Sequence, residues 1–112
     1  MTKITFYKNN GYIVKMQIEG HTGYADSGKD ILCSAISAIS QSVVLGLQKV
    51  AKCPIGFKRD LKKGFLSVWI QAKDEDSLKN AQMLLQTAKI SFEDLQIGYE
   101  KFMKVEVCDE IY

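Results

Sequence analysis

Two side chains in this sequence have the types and spacing for nucleophilic acyl transfer: Cys33, a thiol, and His21, the only histidine, twelve residues before it. A thiolate attacks a carbonyl carbon, and an imidazole beside it takes the thiol proton and later returns it to the leaving group. Asp30 stands three residues before Cys33. A carboxylate there either caps a helix or orients the imidazole, capping being the commoner duty, and Asp26 is the second candidate for orienting. Ser34 beside the thiol offers a weaker nucleophile with nothing to activate it.

Cys33 lies in the first turn of a helix expected from Asp30 to about Lys52, because Leu32, Ala35, Ile36, Ile39, Val43, Leu47 and Val50 recur at three- and four-residue spacing. Unpaired N–H groups and the helix dipole favour an anion at that end, which suits a thiolate and the oxyanion formed after its attack. Ser37, Ser40 and Gln41 share the Cys33 face, a small polar stripe fit for the floor of a cleft. A buried cysteine that merely fills volume is the plain alternative. Pro54 disfavours helix in Cys53 and should end the element.

The segment Gly20-His21-Thr22-Gly23-Tyr24-Ala25-Asp26-Ser27-Gly28-Lys29 is longer than the usual connection of roughly two to six residues. Its glycines suit a loop that wraps a ligand or closes over it. Gly20, Gly23, Tyr24 and Gly28, with Ser34 and Ser37 from the helix, form the candidate substrate-binding surface.

Before the loop, Tyr12, Val14, Met16 and Ile18 alternate with Ile13, Lys15, Gln17 and Glu19 as a strand, paired through the Asn10-Gly11 turn with a strand holding Ile4 and Phe6. After the helix come a weaker strand near 55–61, a Lys62-Lys63-Gly64 turn and a strand with Leu66, Val68 and Ile70. Leu78, Ala81, Leu85, Ala88, Phe92 and Leu95 mark a second helix that starts at Asp74-Glu75-Asp76, and Met103, Val105 and Val107 mark a last strand. The order ββαββαβ predicts an α+β fold: a two-layer sandwich, with a mainly antiparallel sheet and two helices packed on one face. Residues 1–112 are expected to form a single domain.

The 46% hydrophobic content suffices for a core without disulfides or structural metal. Three cysteines at 33, 53 and 108 are odd in number and too scattered for a disulfide framework or a zinc site, so free thiols in a reducing cytoplasm are expected. No signal-peptide pattern opens the chain and no unbroken run of about 18 apolar residues occurs, so no membrane partner is expected. A net charge of +2 is too balanced for a dedicated nucleic-acid binder, and direct nucleic-acid binding is not expected. Lys58, Arg59, Lys62 and Lys63 near Phe57, Phe65 and Trp69 could form a local RNA surface, although a solvated hairpin is the plainer reading. Gly23-x-x-x-x-Gly28-Lys29-Asp30 matches a phosphate-binding loop except at its last position, where Asp replaces the required hydroxyl, and the antiparallel setting is wrong for one.

Gly20-His21-x-Gly23-Tyr24, followed by Gly28-x-Asp30-Ile31-x-Cys33-Ser34-Ala35-Ile36-Ser37, resembles the ribosomal-processing cysteine protease family, Prp. The resemblance implies a cysteine endopeptidase that removes the N-terminal extension of a bacterial large-subunit ribosomal protein, the twenty-seventh, during ribosome maturation. It further implies a homodimer without metal or organic cofactor, Cys33 as nucleophile, His21 as base and Asp30 as the acidic residue between them. Thr22 stands where alanine is common in the family. The alternative from another class is a non-catalytic ribosome- or RNA-associated binding module.

Overall fold

The computed structural model describes residues 1–26 and 30–109. The elements are β1 (Thr2–Asn9), β2 (Tyr12–Glu19), α1 (Ile31–Lys49), β3 (Ile55–Asp60), β4 (Phe65–Ile70), α2 (Glu75–Gly98) and β5 (Met103–Asp109). Their sheet order is β3-β4-β2-β1-β5, with β1 and β5 parallel and the other ladders antiparallel. This is the expected α+β sandwich. Ile4 and Phe6 of β1, Met16 and Ile18 of β2 and Val68 of β4 meet Leu32, Ile36 and Leu47 of α1 and Leu85 and Phe92 of α2 in one core. The Phe6 and Phe92 rings lie 6.3 Å apart at its centre.

The β1–β2 hairpin closes through Asn10 and Gly11, both at positive φ (54° and 82°), as a type I′ turn requires. Strict alternation then fails just inside it. The pairing passes from Tyr7↔Lys15 to Lys8↔Ile13, leaving Val14 as an extra residue on β2. This bulge reverses the faces, so Ile13 is fully buried and Val14 only partly so, contrary to the alternation read from the sequence. The ladder groups of Ile13 are taken up by α2: Ile13 N–H donates to Gln82 Oε1 at 2.8 Å, and Gln82 Nε2 donates to Ile13 O at 2.8 Å.

α1 also ends earlier than its apolar spacing suggests. The Gly46 carbonyl accepts from both Val50 and Ala51, and Lys52 turns to a φ of 50°. Val50 is consequently exposed, while Cys53 takes a place in the core. By length and composition, α1 is apolar enough to cross a bilayer, although serines and glutamines interrupt its apolar residues. That apolar content packs on the sheet, where Leu32, Ile36, Val43, Val44 and Leu47 are buried. On β5, Met103 is buried and Val105 packs against the core, but Val107 is exposed towards the strand's end.

Candidate active site

The β2–α1 loop and the start of α1 are tied together by one carboxylate. Asp30 is extended (φ −83°, ψ 97°) and caps α1, its Oδ1 accepting the Cys33 N–H at 2.9 Å, an arrangement worth ~1 kcal/mol. Its Oδ2 accepts from the Thr22 hydroxyl, the Tyr24 N–H (3.2 Å) and the Ala25 N–H (3.4 Å). Burial alone pushes the Asp30 carboxyl up, but the hydrogen bonds from Thr22, Cys33 and Ala25 outweigh it and lower it to about 2. Asp30 is therefore an ionised, acceptor-only hub at neutral pH. Of the two duties left open by the sequence, its contacts fulfil capping. Asp26 is exposed.

His21 is oriented from elsewhere. Its Nε2 lies 3.0 Å from the carbonyl oxygen of Lys62, in the β3–β4 turn. A carbonyl only accepts, so Nε2 carries the proton and donates, leaving Nδ1 as the basic nitrogen of the neutral ring. The pairing of Ile18 with Leu66 carries the two chains on to Gly20 and Gly64, which meet backbone to backbone. A Cβ on Gly64, whose φ is 62°, would stand 2.6 Å from Gly20 O and 3.1 Å from His21 Cε1. Only glycine lets this turn sit against the histidine.

His21 and Cys33 line one cavity of about 220 Å³, together with Gly20, Ser37, Ser40 and Gln41 on one side and Arg59, Asp60, Leu61, Gly64 and Phe65 of the second hairpin on the other. Gln41 Nε2 donates to Ser37 Oγ at 2.6 Å and Ser40 Oγ donates to Ser37 O at 3.0 Å, which fixes the polar floor. Of the other candidate residues, Gly23, Tyr24 and Ser34 are exposed and absent from the cavity wall, and Gly28 lies outside the described residues. The Tyr24 ring instead packs edge-on against Tyr99 (5.4 Å) and Phe102 (5.2 Å), anchoring the loop to the α2–β5 connection.

Chemically, the cavity holds a thiol at a helix N-terminus, an imidazole with a defined basic nitrogen and a mainly apolar wall of Ile18, Leu61, Phe65 and Leu66 beside the polar Ser37, Ser40 and Gln41. The Cys33 N–H is committed to Asp30 Oδ1 and the Ser34 N–H to Asp30 O at 3.1 Å. An oxyanion formed at Cys33 would have to share these donors or use others, so the first turn of α1 is not by itself a free oxyanion site. Sequence reasoning also missed Lys62 and Gly64 as supports of His21. The Lys62-Lys63-Gly64 turn was legible, but its apposition to His21 depends on the β2–β4 pairing.

The sequence model of the family described as cysteine protease Prp matches residues 1–104. The chain belongs to this family. Among Prp relatives, the ribosomal processing cysteine protease Prp of Bacillus subtilis (strain 168) is 24% identical over 98 residues, covering 83% of this chain and 84% of the relative. An essential ribosomal processing protease Prp from S. aureus, solved with a covalently linked product peptide, superposes with a TM-score of 0.86 at 19% identity, covering 96% of this chain and 99% of that one. SMU.848 from Streptococcus mutans superposes with a TM-score of 0.85 at 22% identity, covering 98% and 96%. Membership of the Prp family makes the chain a cysteine protease, and the superpositions agree on its fold.

Proposed function

We propose that Cys33 is the nucleophile and His21 the general base of a peptidase that removes the N-terminal extension of the twenty-seventh large-subunit ribosomal protein. The observation that carries this reading is that Cys33, at the N-terminal turn of α1, and His21, held by Lys62, line the same cavity. Nδ1 of His21 takes the Cys33 proton, and the thiolate adds to the scissile carbonyl carbon. Collapse of the adduct breaks the C–N bond, and the leaving amine takes the proton from His21. Water, deprotonated by His21, then hydrolyses the thioester and regenerates the thiol. Gly20 and Ser37 contact the peptide from the cavity wall, while Gly23, Tyr24 and Ser34 act at its rim.

The substrate assignment rests on the motif resemblance and on the ribosomal processing activity named for the Bacillus subtilis relative. The basic hairpin supplies the Lys62 carbonyl that holds His21, which favours a catalytic over a purely RNA-binding use of that hairpin. Residues 1–112 work as one domain of a cytoplasmic homodimer whose three cysteines, free in the structure, stay reduced.

The test is mass spectrometry of the extended ribosomal protein incubated with wild type and with Cys33→Ala under reducing conditions. One cleavage site with wild type and none with Cys33→Ala is expected. An intact substrate with both proteins removes the substrate assignment, and equal cleavage by both removes Cys33 as nucleophile.

A further inference from the structure

Thr22 is almost fully buried, 2% exposed, in a loop whose neighbouring residues His21, Gly23 and Tyr24 are exposed. Its hydroxyl has three neighbours: Asp30 Oδ2, the Tyr24 N–H at 3.3 Å and Cys33 Sγ at 3.4 Å. A hydroxyl has one proton and two acceptor sites. The ionised Asp30 can only accept, so the Thr22 proton goes there. The Tyr24 N–H can only donate, and it faces one acceptor site while sharing its proton with Asp30 Oδ2. The remaining site faces sulfur, which satisfies it only as a thiol, through an S–H donated to Oγ1 and shared with the Asp30 carboxylate beside it.

We propose that Thr22 is a positioning residue for Cys33, its buried hydroxyl accepting the S–H and thereby holding the free enzyme's nucleophile as a neutral thiol. A thiolate in the same place would face a lone pair of Thr22 with the Asp30 carboxylate behind it. Proton removal must therefore be accompanied by rotation of Sγ away from Thr22 or by the Thr22 O–H swinging its hydrogen bond from Asp30 to sulfur. The thiol becomes reactive when a bound peptide or His21 draws it off this acceptor. The inference rests on the reading of Cys33 as nucleophile, but its test follows the thiol directly.

The test is the pH dependence of iodoacetamide alkylation of Cys33, followed by peptide mass spectrometry in wild type, Thr22→Val and Thr22→Ser. Exposed Cys108 serves as the reference in the same tube, and Cys53, buried with its thiol pushed up first by burial and then by Asp74, reacts slowly. Thr22→Val should alkylate Cys33 ~3- to 10-fold faster than wild type near neutral pH, the ratio falling to about one in alkali, where every thiol is ionised. Thr22→Ser should behave as wild type. An unchanged or slower rate in Thr22→Val overturns the proposal, and so does a ratio that stays constant with pH, because that reports a loosened loop. Should Thr22→Val not fold, the infrared S–H stretch of wild type minus Cys33→Ala decides: a hydrogen-bonded thiol band at neutral pH supports the proposal and its absence overturns it. None of these readouts requires peptide cleavage, so they stand or fall separately from the substrate assignment.

Discussion

His21 donates its Nε2–H to the carbonyl of Lys62 at 3.0 Å, so a backbone group of the second hairpin does what a carboxylate does in a Ser-His-Asp arrangement. It selects the tautomer and holds the ring. A carbonyl lacks the charge to stabilise an imidazolium as strongly, but it cannot be protonated and keeps its role at any pH the fold survives.

The fit of the turn against His21 predicts the effect of Gly64→Ala. The added methyl would overlap Gly20 O and press on the imidazole from a positive-φ position. Stability should fall by about 1–2 kcal/mol, and, with His21 as the proposed base, kcat/KM by roughly 10- to 100-fold as its ring is displaced. Steady-state cleavage of a peptide substrate, with a folded far-UV spectrum as control, checks this. Wild-type kinetics would show that His21 needs no support from the turn.

Asp30 makes a prediction about acid. Its carboxyl is lowered from an ordinary 3.8 to about 2, so the folded state binds its proton more weakly than the unfolded chain. The stabilisation is thus fully present above about pH 4 and lost as pH falls towards 2. It should be on the order of 1–2 kcal/mol, the covering loop being exposed enough for solvent to screen part of it. Asp30→Asn keeps one oxygen for the cap but turns an amide donor towards the Tyr24 and Ala25 N–H groups. Urea unfolding from pH 6 to pH 2 should show a large stability gap between wild type and Asp30→Asn that narrows with acid. A gap independent of pH would mean that the charge of Asp30 contributes nothing.

Gln82 tests the fold apart from the chemistry. Gln82→Leu removes both partners of the Ile13 backbone groups at the bulge and should cost about 2–4 kcal/mol, since two buried polar groups lose their bonds. Urea denaturation at neutral pH measures it. Cleavage per folded molecule should stay within twofold, because Gln82 does not line the cavity. A loss below 0.5 kcal/mol would mean that water replaces the amide at little cost.

Tyr24 should act on substrate capture. Tyr24→Ala removes the ring that packs on Tyr99 and Phe102, worth roughly 0.5–1.5 kcal/mol per aromatic pair, and so frees the loop between β2 and α1. KM should rise several-fold with a smaller change in kcat, since Cys33 and His21 keep their own anchors. A fall in kcat alone, measured over the same peptide concentrations, would place Tyr24 in the chemistry instead.

The sequence by itself determined the elements and named His21 and Cys33 as the candidates for chemistry. Period-two and period-3.6 apolar spacing marked five strands and two helices, Asn10-Gly11 marked its turn, and Asp30 in front of Cys33 marked a helix start, because each depends on neighbours within a few residues. The motif around His21 and Cys33 carried the family for the same reason. Tertiary structure decided what depends on partners distant in the chain. The Val14 bulge buries Ile13 because Gln82, far along the sequence, satisfies its backbone. Pairing of β2 with β4 brings the Lys62 carbonyl to His21, and no residue type announces which carbonyl will do so, since every residue has one. The identity of Thr22 was visible from the start, but its role appears only when the folded loop brings its hydroxyl between Asp30 and Cys33.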